Sequence, residues 1–354
     1  MKQRIKSCSK LLKKLGYDSL LIGDPTNISY LTGTQQACGY LLITSDENLI
    51  YFTNFLYKKV SQKTKIWKLI ISDFEHSIFD LLANEVKKLK HKKVAFEAKN
   101  LPFLEHKTIH KNFSKNNISF KGTNDLIAGL RMIKQEKEIS LIRKATHTGK
   151  EAFEFIAEIF GEEMTESDLG LEIERFLRLK GDDEVAFKPI VASGKNAVFP
   201  HHLPQKTKIG KKFFLIDLGS RHCGYCSDLT RVFFWGKMPL LFKRIHDSVI
   251  KAQELAIGKI KDGVKISQID KAARDFIEKK GWGKYFGHGL GHGIGLSVHE
   301  PPFITPGNDN ILKEGMVITI EPAVYFKDKF GIRIEDMVLV KKNKGEVLSG
   351  DAHR

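Results

Sequence analysis

Short apolar runs separated by charged stretches open the chain: SLLIG (19–23), GYLLIT (39–44), LIYF (49–52), KLIIS (68–72) and VAFEA (94–98). Their length and richness in Leu, Ile and aromatics predict strands. Ahead of them, residues 2–16 form an amphipathic helix that Gly16 stops, and a second helical stretch covers 75–90. The alternation predicts a small α/β domain that closes near residue 125. The pattern then changes. Residues 134–160 read as one long charged helix with Ile139, Ile142, Ala145 and Ala152 among its apolar positions. Thr165-Glu166-Ser167-Asp168 has the order of a capping box ahead of the helix LGLEIERFLRLKG. Helices also fit 240–258 and 267–280, the latter opened by Ser267 and stopped by Gly281. Two hairpins lie among them: FFLIDLGS (213–220) with YCSDLTRVFF (225–234), and MVITIEPAVYF (316–326) with IRIEDMVLV (332–340). This second region is α+β and mainly antiparallel. The expected domains are 1–125 and 126–354, with the boundary in GTNDLIAGL (122–130).

Each hairpin carries two acids in otherwise apolar runs. Opposed residues of a tight antiparallel hairpin have numbers with a constant sum. A turn at His222-Cys223 would set Asp217 across from Asp228, and a turn centred on Asp328 would set Glu321 across from Glu335. Two like-charged pairs on buried strands destabilise a fold unless a cation or a shared proton compensates. That need points to metal. The stretch Gly287–Glu300 adds His288, His292 and His299 among glycines that let backbone approach a site closely. It lacks the Gly-Lys-Ser/Thr ending of a phosphate-binding loop. Oxygen-rich donors with one imidazole suit Mn²⁺ or Co²⁺ before Zn²⁺. Cys223 and Cys226 make one C-x-x-C beside a turn, and without a second such pair a thiolate-zinc or redox site is disfavoured.

Composition narrows the class further. A length of 354 residues suits two domains, and 42% hydrophobic with 28% charged residues is ordinary for a soluble protein. The charged opening MKQRIKSCSKLLKKLGYDSL has no signal-peptide apolar core, no run of about 18 apolar residues occurs, and only four cysteines are present. A cytoplasmic protein with no membrane span is expected. The net charge of +16 is concentrated in residues 1–130, which hold 21 Lys+Arg against 11 Asp+Glu. Lys87, Lys88, Lys90, Lys92 and Lys93 form the densest cluster, but aromatics are not interleaved with them as a nucleic-acid stacking platform requires. A metal-free binding protein that uses this basic surface for RNA or a protein partner stands as the alternative from another function class.

Several segments fall in a recognisable order: Asn27-Ile28-Ser29-Tyr30-Leu31-Thr32-Gly33; Ile190-Val191-Ala192-Ser193-Gly194 followed by Pro200-His201; Ile216-Asp217-Leu218-Gly219; Ser227-Asp228-Leu229-Thr230-Arg231; His288 to Glu300; Thr319-Ile320-Glu321-Pro322; and Gly331-Ile332-Arg333-Ile334-Glu335-Asp336. Together they resemble the proline-specific M24 metallopeptidases, aminopeptidase P and prolidase. The resemblance implies a pita-bread catalytic domain preceded by a creatinase-like N-terminal domain. It implies a centre of two divalent ions, with Asp217 on one, Asp228 and Glu335 bridging both, and His292 and Glu321 on the other. It further implies that His201, His288 and His299 serve substrate and intermediate, that Glu321 also shuttles a proton, and that Thr230 and Arg333 orient the carboxylates. Hydrolysis of an Xaa-Pro bond by a homodimer is the implied activity and assembly. His201 is preferred to His202 as the first active-site histidine because it follows the proline. Two features depart from or compete with this pattern. Ala323 stands where the family usually has glycine. Methionine aminopeptidases share the five ligands, but they usually lack the N-terminal domain and have a longer insert between the two glutamates.

Overall fold

The computed structural model describes residues 1–354 except 35, 36, 58–66, 125, 182, 183, 211, 212, 328 and 351–354. The chain divides into two compact units, Met1–Arg131 and Met132–Arg354. In the first, α1 (Lys2–Leu15) buries Ile5, Cys8 and Leu12 and stops at Gly16, whose φ of 72° suits a residue without Cβ. Then come β1 (Ser19–Ile22), α2 (Pro25–Thr32), β2 (Tyr40–Thr44), β3 (Leu49–Asn54), β4 (Lys68–Ser72), α3 (Ile78–Lys88), β5 (Lys93–Glu97), α4 (Phe103–Ser114), β6 (Ser119–Thr123) and α5 (Leu126–Arg131). The sheet order is β4-β3-β2-β1-β5-β6, with β2 antiparallel to both its neighbours and the remaining pairs parallel.

Periodicity did not reveal α2, α4, β6 or α5, for physical reasons. Helix α2 is only eight residues long and is set by its start: Pro25 occupies the first turn and Asp24 accepts from the Thr26 and Asn27 amides. Strand β6 buries only Phe120, so no apolar run announces it. Helix α5 lies with the first unit because Arg131 is buried and donates to Asn27 Oδ1 at 2.9 Å.

The second unit contains α6 (Glu136–Ile159), α7 (Glu166–Lys180), β7 (Ile190–Ser193), β8 (Phe213–Leu218), β9 (Arg221–His222), β10 (Tyr225–Cys226), β11 (Leu229–Phe234), α8 (Leu240–Ile257) and α9 (Ile266–Lys279). It continues with β12 (Gly291–Gly293), β13 (Glu300–Ile304), β14 (Val317–Ile320), β15 (Ala323–Phe326), β16 (Phe330–Arg333), β17 (Asp336–Val340) and β18 (Gly345–Val347). The strands form a three-stranded sheet β11-β8-β7, a five-stranded sheet β13-β12-β14-β17-β18 and the pairs β9-β10 and β15-β16. All these pairings are antiparallel. Ser267, expected to open α9, instead lies inside its first turn and donates to Asp309, while Lys265 takes the N-cap position.

Strands β14 and β17 are buried on both faces, because successive side chains point to opposite sides and each side meets a helix pair. Val317, Met337 and Leu339 share a core with Ile142, Phe153, Leu169 and Ile173 of α6 and α7. Ile318, Ile320, Val338 and Val340 share another with Ile245, Val249, Ile269 and Ala273 of α8 and α9. Each such side chain contributes roughly 1.5–3 kcal/mol relative to exposure. No described helix is long and apolar enough to cross a membrane.

Helix α7 starts with the capping box Thr165/Asp168, and beside it Glu166 is fully buried. Its carboxylate accepts from Ser193 N (2.7 Å), Ser193 Oγ (2.8 Å), Asn196 Nδ2 (2.9 Å) and Gln205 N (3.1 Å), and meets His202 Nε2 at 2.8 Å. One acid thereby ties α7 to β7 and to the loop that follows it. Replacing Glu166 by Ala leaves those donors without an acceptor and is expected to cost about 3–5 kcal/mol of stability. Urea unfolding of E166A would check this; a loss within the scatter of surface variants would show that the loop is anchored elsewhere.

Candidate metal centre

The first acidic hairpin turns one residue later than the constant-sum reading expects. Tyr225 pairs with His222, so Cys223 and Gly224 make the turn, with φ of 47° and 83°. Two successive left-handed residues match the twist of the strands they join. The register along β8 and β11 therefore sets Asp217 across from Thr230, not Asp228. The sum has moved by two, an even step, so Asp228 keeps its face and meets Asp217 on the diagonal.

In the second hairpin Asp328 lies outside the described residues, but the register on either side is clear. Phe326 pairs with Phe330, Ala323 with Arg333 and Ile320 with Asp336. Glu321 and Glu335 stand opposite each other in the gap between those two ladders. Ala323 fits regular strand, fully buried opposite Arg333. The Glu335 amide turns away from the gap and donates to Thr230 O at 3.2 Å, which brings it beside β11.

The acids meet in two overlapping groups. Asp217, Asp228 and Glu335 can each offer an oxygen within 4.8 Å of the others, and so can His292, Glu321 and Glu335 with one ring nitrogen and two oxygens. Glu335 belongs to both, and Asp228 recurs with His292 and His299. One oxygen of each of two acids is held by protein: Asp217 Oδ2 accepts from Arg333 Nη2 at 2.6 Å, and Glu335 Oε2 from Thr230 Oγ1 at 2.7 Å. The other oxygens, Asp217 Oδ1 and Glu335 Oε1, are buried without a hydrogen-bond partner among the described residues. His292 Nδ1 lies 3.1 Å from Gly293 O, and its Nε2 faces Asp228 Oδ2 and Glu321 Oε1, each at 3.6 Å. An Nδ1–H given to a carbonyl leaves the Nε2 lone pair for a cation.

The charges on these groups show what the site favours. Burial, then repulsion from Glu335, Asp217 and Glu321, pushes the Asp228 carboxyl well above its usual range. Burial and Glu335 do the same to Glu321, and burial with Asp217 pushes Glu335 to about 8. Burial and the neighbouring His299 bring His292 down to about 4, so its imidazole is neutral. Four crowded carboxyls, two orphaned oxygens and a neutral imidazole fit divalent cations.

Residues 140–342 match metallopeptidase family M24, and residues 4–133 match the creatinase/prolidase N-terminal domain. The Xaa-Pro dipeptidase of Pyrococcus furiosus is 32% identical over 352 residues, covering 99% of this chain and 98% of that protein. The structure of an Xaa-Pro dipeptidase from Bacillus anthracis superposes with a TM-score of 0.93 at 30% identity, over 99% of this chain and 97% of that one. An X-Pro aminopeptidase from Thermotoga maritima gives a TM-score of 0.86 at 33% identity, over 95% and 97%. The chain belongs to metallopeptidase family M24.

As an M24 enzyme, the chain has the pita-bread catalytic fold preceded by a creatinase-type domain. The M24 site separates the two adjacent histidines. His202 is buried against Glu166, whereas His201 is exposed and close enough to His288 and His299 to hold both their pKa values down, behind the larger effect of burial. The His299 ring centroid is 4.3 Å from that of His292. His288 has Nδ1 at 2.7 Å from Gly289 O and a buried Nε2 with no partner among the described residues. Arg333 donates to Asp217, to Thr230 Oγ1 at 3.1 Å and to Tyr325 Oη at 2.7 Å, so it joins both hairpins.

The sequence reading missed residues that hold the M24 site from behind. Arg231, buried, donates to Glu335 O (2.6 Å), Thr230 O (2.9 Å) and Asp336 Oδ1 (2.6 Å). Gln253 of α8 reaches the carbonyls of Ile320 and Ile334. A signal for it exists: position 253 lies on the apolar stripe with Phe242, Ile245, Val249 and Ala256, where a polar residue is out of pattern. Glu166 and Tyr325 carry no such mark.

The raised Glu335 value fixes the sign of a pH effect. Folded, metal-free protein keeps a proton that the unfolded chain releases near 4.5, so this stability is present below that pH and is lost as pH rises through about 8. His292 acts oppositely: its folded value of about 4 lies below the unfolded 6.5, so its effect is complete above pH 6.5. Metal-stripped protein is therefore expected to lose thermal stability between pH 6.5 and 8. Mn²⁺ at 100 times its Kd should restore about 2.7 kcal/mol. Calorimetry at both pH values tests this, and a midpoint that rises over that interval without metal would refute the carboxyl crowding.

Proposed function

We propose that this M24 enzyme is a two-metal peptidase that hydrolyses the bond between an N-terminal residue and a following proline. The observation that carries the reading is the pair of three-ligand groups sharing Glu335, with the buried orphaned oxygens of Asp217 and Glu335. Asp217, Asp228 and Glu335 would hold one ion and His292, Glu321, Asp228 and Glu335 the other. Two bound divalent ions supply Lewis-acid polarisation of a carbonyl and water that is nucleophilic at neutral pH. The oxygen-rich donor set favours manganese, with cobalt or zinc as substitutes. Relatives named as an Xaa-Pro dipeptidase and an X-Pro aminopeptidase support the proline specificity.

The chain's own residues divide the remaining work. Glu321 takes a proton from the attacking water and passes it to the proline nitrogen as the peptide bond breaks, which lets a poor amide leaving group depart as an amine. His201 and His299 bind substrate and stabilise the oxygen of the tetrahedral intermediate. His288 supports them. Arg333 and Thr230 hold Asp217 and Glu335 by one oxygen each, so that the second oxygen stays aimed at the cations. The proposal includes a cytoplasmic homodimer, in keeping with the family resemblance and the sparse cysteines.

Manganese-loaded protein is expected to release proline from Gly-Pro, or the first residue from an Xaa-Pro-Xaa tripeptide, and to leave Gly-Ala intact. Asp228→Asn should remove nearly all turnover while circular dichroism stays unchanged. Full activity of D228N in manganese, or equal cleavage of Gly-Ala, would defeat the assignment.

A further inference from the structure

We propose that Gln253 is a positioning residue: its amide fixes the spacing of the strands that carry Glu321 and Glu335, and so sets the affinity of the His292 side of the centre for its cation. The inference rests on the two-metal reading above.

The two ladders that flank the glutamates share one register, but they are separate. Strand β14 pairs with β17 up to Ile320 and Asp336, and β15 with β16 from Ala323 and Arg333. Between them Pro322 has no amide to donate, and the remaining cross-gap bond, Ile334 N to Pro322 O, is long at 3.4 Å. The Glu321 amide goes to Leu290 O at 2.8 Å and the Glu335 amide to Thr230 O at 3.2 Å. The strands therefore keep only one long mutual hydrogen bond, among the described residues, at the point where both glutamates would face one cation.

Gln253 bridges that opening. Its Nε2 donates to Ile320 O at 3.0 Å and to Ile334 O at 3.2 Å, the carbonyls immediately preceding Glu321 and Glu335. One nitrogen with two hydrogens, fully buried on α8, thus holds both strands at once. The other end of the amide argues against a packing role. Gln253 Oε1 is buried with no hydrogen-bond partner among the described residues, a loss that a methionine or leucine filling the same space would avoid. What the amide offers that an apolar side chain does not is the pair of donors. Outer contacts of this kind orient ligands, and their removal commonly weakens metal binding by about 10- to 100-fold.

The test is Co²⁺ titration of metal-stripped protein, followed by visible d–d absorbance, with Gln253→Met as the variant and Val249→Ala as the control. Val249 lies on the same helix in the same core, and its side chain has no donor to offer either carbonyl. Q253M is expected to weaken Co²⁺ binding at one of the two sites about 10- to 100-fold and to alter the absorbance. V249A should lower the thermal midpoint with both cobalt affinities kept within about twofold, far short of the loss expected from an outer contact. Q253M affinities within about twofold of wild type, or a loss in V249A as large as that in Q253M, would overturn the proposal. Should Q253M fail to fold, Gln253→Asn keeps the amide but is one methylene too short to span both carbonyls; a loss of at least about tenfold supports the clamp and less than about twofold overturns it. Wild-type protein that takes up no cobalt removes the two-metal reading and the clamp with it. Cobalt uptake unchanged in the Gln253 variants removes the clamp alone.

Discussion

Repulsion among three buried carboxyls and a fourth, Glu321, that is half-buried is the constraint around which the catalytic unit is built. Asp217, Asp228, Glu321 and Glu335 come from strands that are otherwise apolar, and each would be more stable in water. The fold brings them together regardless, and spends its neutral and cationic donors on holding them: Thr230 and Arg333 at the carboxylates, Arg231 and Gln253 at the backbone behind them. Without cations Asp228, Glu321 and Glu335 hold on to protons. With cations the same crowding becomes affinity, because the cost of assembling the ligands has already been met by the packing of the strands.

That arrangement explains why the acidic strands are so fully enclosed. A half-exposed carboxylate is screened by water and has little preference for a metal ion over solvent. Here the helix pairs α6/α7 and α8/α9 lie over opposite faces of β14 and β17, and the centre sits where those strands separate.

Much of the site was legible in the sequence because its signals are arithmetic. Acids in apolar strands at hairpin spacing announce a cation even when the turn is misplaced: the error at His222-Cys223 shifted the register by two residues, and an even shift leaves every side chain on its face. The motifs of family M24 pointed to the same acids and imidazole that the structure brings together. Other features left no trace. Helix α2 is set by Asp24 and Pro25, not by periodicity, and β6 buries a single aromatic ring. Glu166 reads as the first residue after a cap, yet it is the acid that takes His202 out of contention and leaves His201 to face the other histidines. Contacts between residues far apart in number, such as Arg231 with Asp336, are invisible to any local pattern.

The double burial of β14 and β17 has a consequence for how the catalytic unit comes apart. Since alternate side chains of the same two strands complete both cores, a helix pair that melts strips one face of strands whose other face floors the second core. Loosening at either end therefore propagates to the middle, where the ligands are. Unfolding of either helix pair and loss of the acids' arrangement are therefore expected to be coupled.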